Sequence, residues 1–460
     1  MRECSDAGLR CRRPAGIHTA HPVGTIHIEP GTWHITAPLS AMMSCPLACS
    51  CSGSSTQFSS YPTSNAIAGV ANSTSHAAAV GARTGAIGRF SISIVISKRI
   101  TPLMDAILTM MAAYFRLFPP PNGENEIMRI IALEEHVMLP EMTQRIPGSV
   151  AVEAGWVPSS GHWGPGPLNE ALGDIQQGRI DAMNQAELTL QVLSVIGPGA
   201  ELLAGEEGIG FARDYNDRLA VAVERHPDRF AAFAHLPMKE PAAAADELER
   251  CVKKLGFRGA SINGTTDGLF LDDPRFAPIL ARAEALGSPL YIHPGPPPRA
   301  VRDAYYSGLP GEISSYLLSN AGFGWHSETA IHILRLVLSG TLDRNPGLKL
   351  IIGHLGELLP MLLKRVDETF GTGAEAGRQR TVSQTILDQV WITTSGFFDT
   401  SAFLAALTAF GTDRILFSVD YPYATNSAGV AFLKSLPVSP ADRARIAHGN
   451  ADTLLGLSTA

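Results

Sequence analysis

The sequence predicts an α/β protein, a (β/α)8 TIM barrel over residues 128–460 behind an extension of residues 1–127, and three observations lead there. From Met128 onward short apolar runs alternate with amphipathic helical stretches, the texture of a parallel sheet crossed by helices. The runs suited to strands number eight. Side chains able to bind metal or carry protons stand at the C-terminal ends of four of them, the rim on which such barrels carry their chemistry.

In chain order the expected strands are Arg129–Glu134, Leu190–Ile196, Phe230–Ala234, Arg258–Asn263, Pro289–Ile292, Leu348–Ile352, Val390–Thr394 and Arg414–Val419. Helices fit between them. One shows its start plainly: Asp273 can cap free amides, Pro274 takes the first helical position, and Phe276, Ile279, Leu280 and Ala283 then share a face. Glu328 to Leu338 reads the same way. Such a barrel needs about 250 residues, so the surplus lies in loops, above all the Pro/Gly/Tyr stretch from Pro294 to Gly324 over the expected mouth.

Residues 1–127 mix Ser, Thr, Ala, Gly, Pro, Cys and His without a sustained period and end in Pro119-Pro120-Pro121-Asn122-Gly123. A segment of this kind has little to offset its ordering entropy, and the expectation is disorder, or a stretch absent from the native product because a complete first strand starts after Met128. Five of the six cysteines crowd this segment, which argues against a disulfide-built secreted domain and for a cytoplasmic protein. Cys45, Cys49 and Cys51 with His34 match no common zinc spacing. The most apolar stretch, Thr101 to Leu117, carries Asp105 and Arg116 and is short for a membrane span. A net charge of −7 with 17% charged residues leaves no basic stripe for a phosphate backbone, so neither nucleic acid nor membrane is an expected partner.

The first strand ends Ala132-Leu133-Glu134-Glu135-His136, where alternation points Glu134 and His136 to one side. The fifth ends Tyr291-Ile292-His293, the sixth Gly353-His354-Leu355-Gly356-Glu357, and the eighth Ser418-Val419-Asp420. Imidazoles and carboxylates together suit one borderline divalent ion, Zn2+ before Mn2+. Any one of these residues alone is more often structural; their joint placement is what argues for a site. His326 reads equally as a loop or a substrate contact, His162 as an entrance residue, His235 as a structural hydrogen bond, and His226, His332 and His448 as surface or packing residues, with Asn450 a helix cap.

These motifs, with Leu271-Asp272-Asp273-Pro274-Arg275-Phe276, Glu328-Thr329-Ala330 and Leu416-Phe417-Ser418, resemble the decarboxylase branch of the amidohydrolase superfamily, the gamma-resorcylate, dihydroxybenzoate and salicylate decarboxylases. The resemblance implies Glu134, His136, His293 and Asp420 as metal ligands, His354 and Glu357 as catalytic groups beside Asp420, Arg365 as a substrate-binding residue, and a homodimer or homotetramer. Glu134 in place of a first histidine points to hydroxybenzoate decarboxylation, and the absence of lysine from Ala260-Ser261-Ile262-Asn263 argues against a carbamate-bridged metal pair. The expected reaction is non-oxidative decarboxylation of an ortho-hydroxybenzoate, a small aromatic acid, with Asp420 delivering the proton. A metal-dependent amide or lactone hydrolase is the alternative on the same barrel. A barrel used only for binding would show broken ligands, and all four are present.

Overall fold

The computed structural model describes residues 128–158, 166–371 and 378–457, together with the backbone of five strands nearer the N-terminus. The chain divides into units of residues 1–126 and 127–460. In the first unit Thr25–Glu29, Thr32–Pro38, Ala68–Val70, Ala79–Thr84 and Arg89–Val95 form an antiparallel sheet in the order first, second, fifth, fourth, third. Ser91-Ile92-Ser93-Ile94 is a period-two run that an expectation built on composition passed over. The remainder of that extension, the Cys45–Cys51 group and His162 lie outside the described residues.

The second unit is the barrel. Its strands are β1 (Ile131–Val137), β2 (Leu190–Val195), β3 (Phe230–Ala232 and Ala234–His235), β4 (Ala260–Asn263), β5 (Leu290–His293), β6 (Leu350–Ile352), β7 (Val390–Thr393) and β8 (Ile415–Leu416). Every neighbouring pair from β1 to β8 is parallel, and β3 joins the two sheets because its first segment bonds to β2 and its second to β4. Ile131, Leu133, Val192, Phe233, Tyr291, Ile351 and Leu416 fill the inside, with Leu454 and Leu457 from the C-terminal segment packed against them. The larger apolar layer lies between strands and helices.

All eight expected strands are found, with shifted ends. The eighth is the most curtailed, two residues against the six expected, because the amides beyond Leu416 bond elsewhere. Phe417 N–H donates to the Ile446 carbonyl at 3.0 Å, Ser418 N–H to Thr394 Oγ1 at 2.9 Å, and Val419 N–H to Glu135 Oε1 at 2.9 Å. The β8–β1 seam is therefore closed by side chains and by one backbone bond, His136 N–H to the Tyr421 carbonyl at 2.7 Å. Asn450 is not a cap: its Nδ2 donates to the carbonyls of Thr412 and Ile415, both at 2.7 Å, and ties the last helix to β8.

Asp273 caps as expected, accepting Arg275 N–H at 3.1 Å, with Phe276, Ile279, Leu280 and Ala283 all buried. The 294–324 insertion folds into short helices, including Glu312–Ser319, and Tyr316 donates to the Trp156 carbonyl at 2.8 Å. Among the described residues no helix is long and apolar enough to cross a membrane.

Candidate active site

Strict alternation from the inward-facing Ile131 and Leu133 would turn Glu134 and His136 out of the barrel. A β-bulge prevents this. Ala132 is in register with Gln191 and Glu135 with Leu193, so β1 carries one residue more than β2 across that interval, and Glu134 joins Leu133 on the inside. From β5, Tyr291 and His293 enter on the same face, two residues apart.

Glu134 Oε1 lies 3.2 Å from His293 Nε2 and 3.7 Å from His136 Nε2, which is itself 3.0 Å from Asp420 Oδ1. Glu134, His136 and His293 are buried, and Asp420, whose side chain is 18% exposed, is the member that solvent or substrate can reach. The other Glu134 oxygen accepts hydrogen bonds from the hydroxyls of Tyr291 and Ser395, which fixes the carboxylate. Glu134 Oε1 and His136 Nε2 make no directed hydrogen bond despite their burial, an expense that one shared cation would remove. Two imidazoles and two carboxylates, three of them already clustered, fit a single divalent ion. His136 Nδ1 shares a hydrogen bond with Ser194 Oγ at 3.3 Å, which orients its ring.

Beside this cluster Glu357 is the hub of a second. Its carboxylate meets His354 Nδ1 at 2.7 Å and His326 Nδ1 at 2.6 Å, and His326 Nε2 faces the Ala321 carbonyl at 3.1 Å. These are hydrogen-bond separations. Burial alone would push the His354 imidazole down, but the carboxylates of Glu357, Glu134 and Asp420 outweigh it and raise it to about 10. Burial works against Glu357 too, and the two imidazoles hold it below the usual carboxylate range. His354 Nε2 looks toward Glu134 Oε1 at 3.9 Å and Asp420 Oδ2 at 4.0 Å.

The backbone under these groups is unusual. His354, Leu355, Glu357, Leu358 and Asp420 have φ between +51° and +71°, a region that costs an L-residue about 1–2 kcal/mol each. Such strain persists only where surroundings impose it, and here it lifts His354, Glu357 and Asp420 to the rim. Gly353 makes room for the cluster, since a Cβ there would stand 2.6 Å from Glu134 Oε2.

Aromatic rings wall the space. Trp325 meets His293 edge-on at 6.1 Å, Phe397 meets His354 at 5.4 Å, and Tyr423 meets His136 at 5.7 Å. Of the residues singled out from the sequence, Glu134, His136, His293, His354, Glu357 and Asp420 come together. Arg365 does not: it is exposed on the helix Leu359–Phe370, and its side chain bonds to none of the cluster. The left-handed turn at Leu358 redirects the chain before that helix begins. Tyr291 and Ser395 were missed as functional, and His326, which read equally as a loop or a substrate contact, bonds to Glu357. Tyr291 could have been found from its two-residue spacing to His293, whereas nothing local links His326 to Glu357.

His235 is structural as expected, accepting Ala200 N–H at 2.8 Å, and His332 accepts Leu271 N–H at 2.9 Å inside the core.

Comparison with known proteins shows the family. The amidohydrolase family model matches residues 136–457. A gamma-resorcylate decarboxylase of Rhodococcus jostii is 36% identical over 342 residues, 71% of this chain and 98% of the relative. The gamma-resorcylate decarboxylase of a Rhizobium strain is also 36% identical, over 72% of this chain and 99% of its own. Among solved structures, a 2,6-dihydroxybenzoate decarboxylase complexed with 2,6-dihydroxybenzoate superposes with a TM-score of 0.63 at 34% identity, covering 72% of this chain and 99% of that one. A dihydroxybenzoic acid decarboxylase from Polaromonas, solved with manganese and 2-nitroresorcinol, gives 0.64 at 34% identity over 72% of this chain and 98% of that one. The chain belongs to the amidohydrolase family, on the branch of the aromatic-acid decarboxylases.

Proposed function

We propose that the protein is a metal-dependent, non-oxidative decarboxylase of an ortho-hydroxybenzoate, with Glu134, His136, His293 and Asp420 holding one divalent ion. The observation that carries this reading is the convergence of those four side chains, with Glu134 Oε1 and His136 Nε2 lacking hydrogen bonds, in a space walled by Trp325, Phe397 and Tyr423. A flat aromatic acid suits such walls. We propose manganese as the ion, as in the Polaromonas enzyme; the expected preference for zinc finds no support among the relatives described above.

When bound, the ion would serve as template and Lewis acid for a carboxylate and its neighbouring phenol oxygen. Asp420 delivers a proton to the ring carbon that bears the carboxylate, the bond from that carbon to the carboxylate breaks, and its electron pair restores the aromatic ring as carbon dioxide leaves. His354, aimed by Glu357, donates a hydrogen bond to a ring substituent, and His326 braces Glu357 from behind. Tyr291 and Ser395 keep Glu134 from swinging out of the set.

Arg365 shares an exposed face of the helix Leu359–Phe370 with Met361 and Leu362. Exposed apolar patches mark interfaces. We therefore assign Arg365 to an interface in a homodimer or homotetramer, where it binds substrate from a second copy. Sedimentation velocity should show an oligomer, and Arg365→Ala should raise KM; a monomer of full activity removes both assignments.

Asp420→Asn tests the chemistry. The amide keeps a ligand oxygen but carries no acidic proton, so Mn2+ and hydroxybenzoate should still bind while turnover falls by about two to four orders of magnitude. Near-normal turnover would take Asp420 out of the proton transfer.

A further inference from the structure

We propose that Glu135 is a positioning residue, its buried carboxylate fixing the backbone on both sides of Asp420 and so holding that side chain against the metal ligands. The inference rests on the reading of Asp420 as a ligand. Glu135 follows the inner ligand Glu134 on β1 and is fully buried, yet its side chain bonds across the seam to the segment after β8. Oε1 accepts Val419 N–H at 2.9 Å and the Ser418 hydroxyl at 3.2 Å. Oε2 accepts Tyr421 N–H at 3.3 Å and Gln191 Nε2–H at 3.2 Å. The residue before Asp420 and the residue after it thus hang on one carboxylate.

That clasp has a reason to exist. Asp420 sits at φ +71°, which it would not adopt unconstrained, and among the described residues its carboxylate pairs with imidazoles, His136 at 3.0 Å and His354 at 4.0 Å. β8 has ended at Leu416, so no strand ladder holds the segment. Arg179, fully buried, supports the clasp from behind: it donates to Gln191 Oε1 at 3.3 Å and to the His136 carbonyl at 2.6 Å, and its guanidinium lies 4.9 Å from the centre of the Tyr421 ring. The Glu135→Gln side chain would keep one acceptor oxygen and turn an N–H2 group toward the other flank, leaving one of the two amides without a partner.

Mn2+ titration calorimetry on the full chain, without substrate, tests this in four proteins: wild type, Glu135→Gln, Asp420→Ala and the double variant. Removing a group that orients a ligand typically weakens metal binding by about 10–100-fold, and Glu135→Gln should do so in the wild-type background. In the Asp420→Ala background the same change should cost less than about twofold, because no carboxylate remains to be positioned. Equal losses in both backgrounds would show that Glu135 acts through β1 alone, and an unchanged affinity in Glu135→Gln would show that it does not act on the site; either overturns the proposal. Melting curves accompany each titration. If Glu135→Gln does not fold, Glu135→Asp goes through the same cycle, and failure of both to fold beside a folded Asp420→Ala makes Glu135 a residue of barrel closure only, which also overturns it. Wild type that binds no Mn2+ overturns it together with the metal site, whereas wild type that binds Mn2+ and decarboxylates nothing overturns only the activity proposed above.

Discussion

At the scale of single residues the site separates two kinds of histidine. His293 Nε2 faces Glu134 Oε1 at 3.2 Å, the posture of an inner ligand, while His354 gives its Nδ1 to Glu357 and stands 3.9 Å from the same oxygen. His293→Ala should therefore lose metal and activity together. His354→Ala should keep most of its metal and lose turnover by about two orders of magnitude or more, the usual scale for a group that steers proton transfer. Metal analysis beside steady-state kinetics checks this, and equal metal loss in both variants would show the ligand shell to be wrongly drawn. The six converging residues were legible because each is a metal-binding or proton-carrying type at the end of an apolar run. Tyr291 and Ser395 were not, because their part is to hold Glu134 and only the folded barrel brings 134, 291 and 395 together. Arg365 stands apart from the six in this chain: counting helical turns from Glu357 takes no account of the left-handed Leu358 that follows it.

At the scale of elements the strands were readable and their details were not. Apolar runs located all eight, but the bulge in β1 depends on its register with β2, which no local pattern announces. The brevity of β8 likewise follows from acceptors contributed by Glu135, Thr394 and Ile446, residues distant in sequence. One helix contact carries a pH signature. His332, on the helix Gly324–Leu338, accepts Leu271 N–H, and burial pushes its imidazole down to about 3. Below pH about 6.5 the unfolded chain takes up a proton there and the folded chain does not until about pH 3, so stability falls as the pH drops through that window. The slope is about 1.4 kcal/mol per pH unit for one such proton. His235, pushed down to about 4 by burial, adds a second between pH 6.5 and 4. His332→Gln keeps an acceptor that does not titrate, and should lose one proton from the acid limb of unfolding free energy against pH. An unchanged slope would mean that His332 is not held neutral in the fold.

At the scale of the whole molecule, the unit that carries the chemistry begins at residue 127, and β1 with two ligands follows within ten residues. We expect a chain lacking residues 1–127 to fold, bind Mn2+ and turn over as the full chain does; loss of folding on truncation, with the full chain folding normally, would contradict that. The barrel class was legible because its pattern repeats eight times, whereas fold alone could not choose between decarboxylation and hydrolysis. The choice rests on what reaches the ring carbon, and one measurement addresses it directly: the Mn2+-loaded enzyme run with 2,6-dihydroxybenzoate in deuterium oxide, followed by carbon dioxide release and by mass and NMR analysis of the product. Proton delivery by Asp420 predicts one equivalent of carbon dioxide and a single deuterium on the ring carbon it vacated. No carbon dioxide from this or any other ortho-hydroxybenzoate, or carbon dioxide with no deuterium at that carbon, would contradict the account.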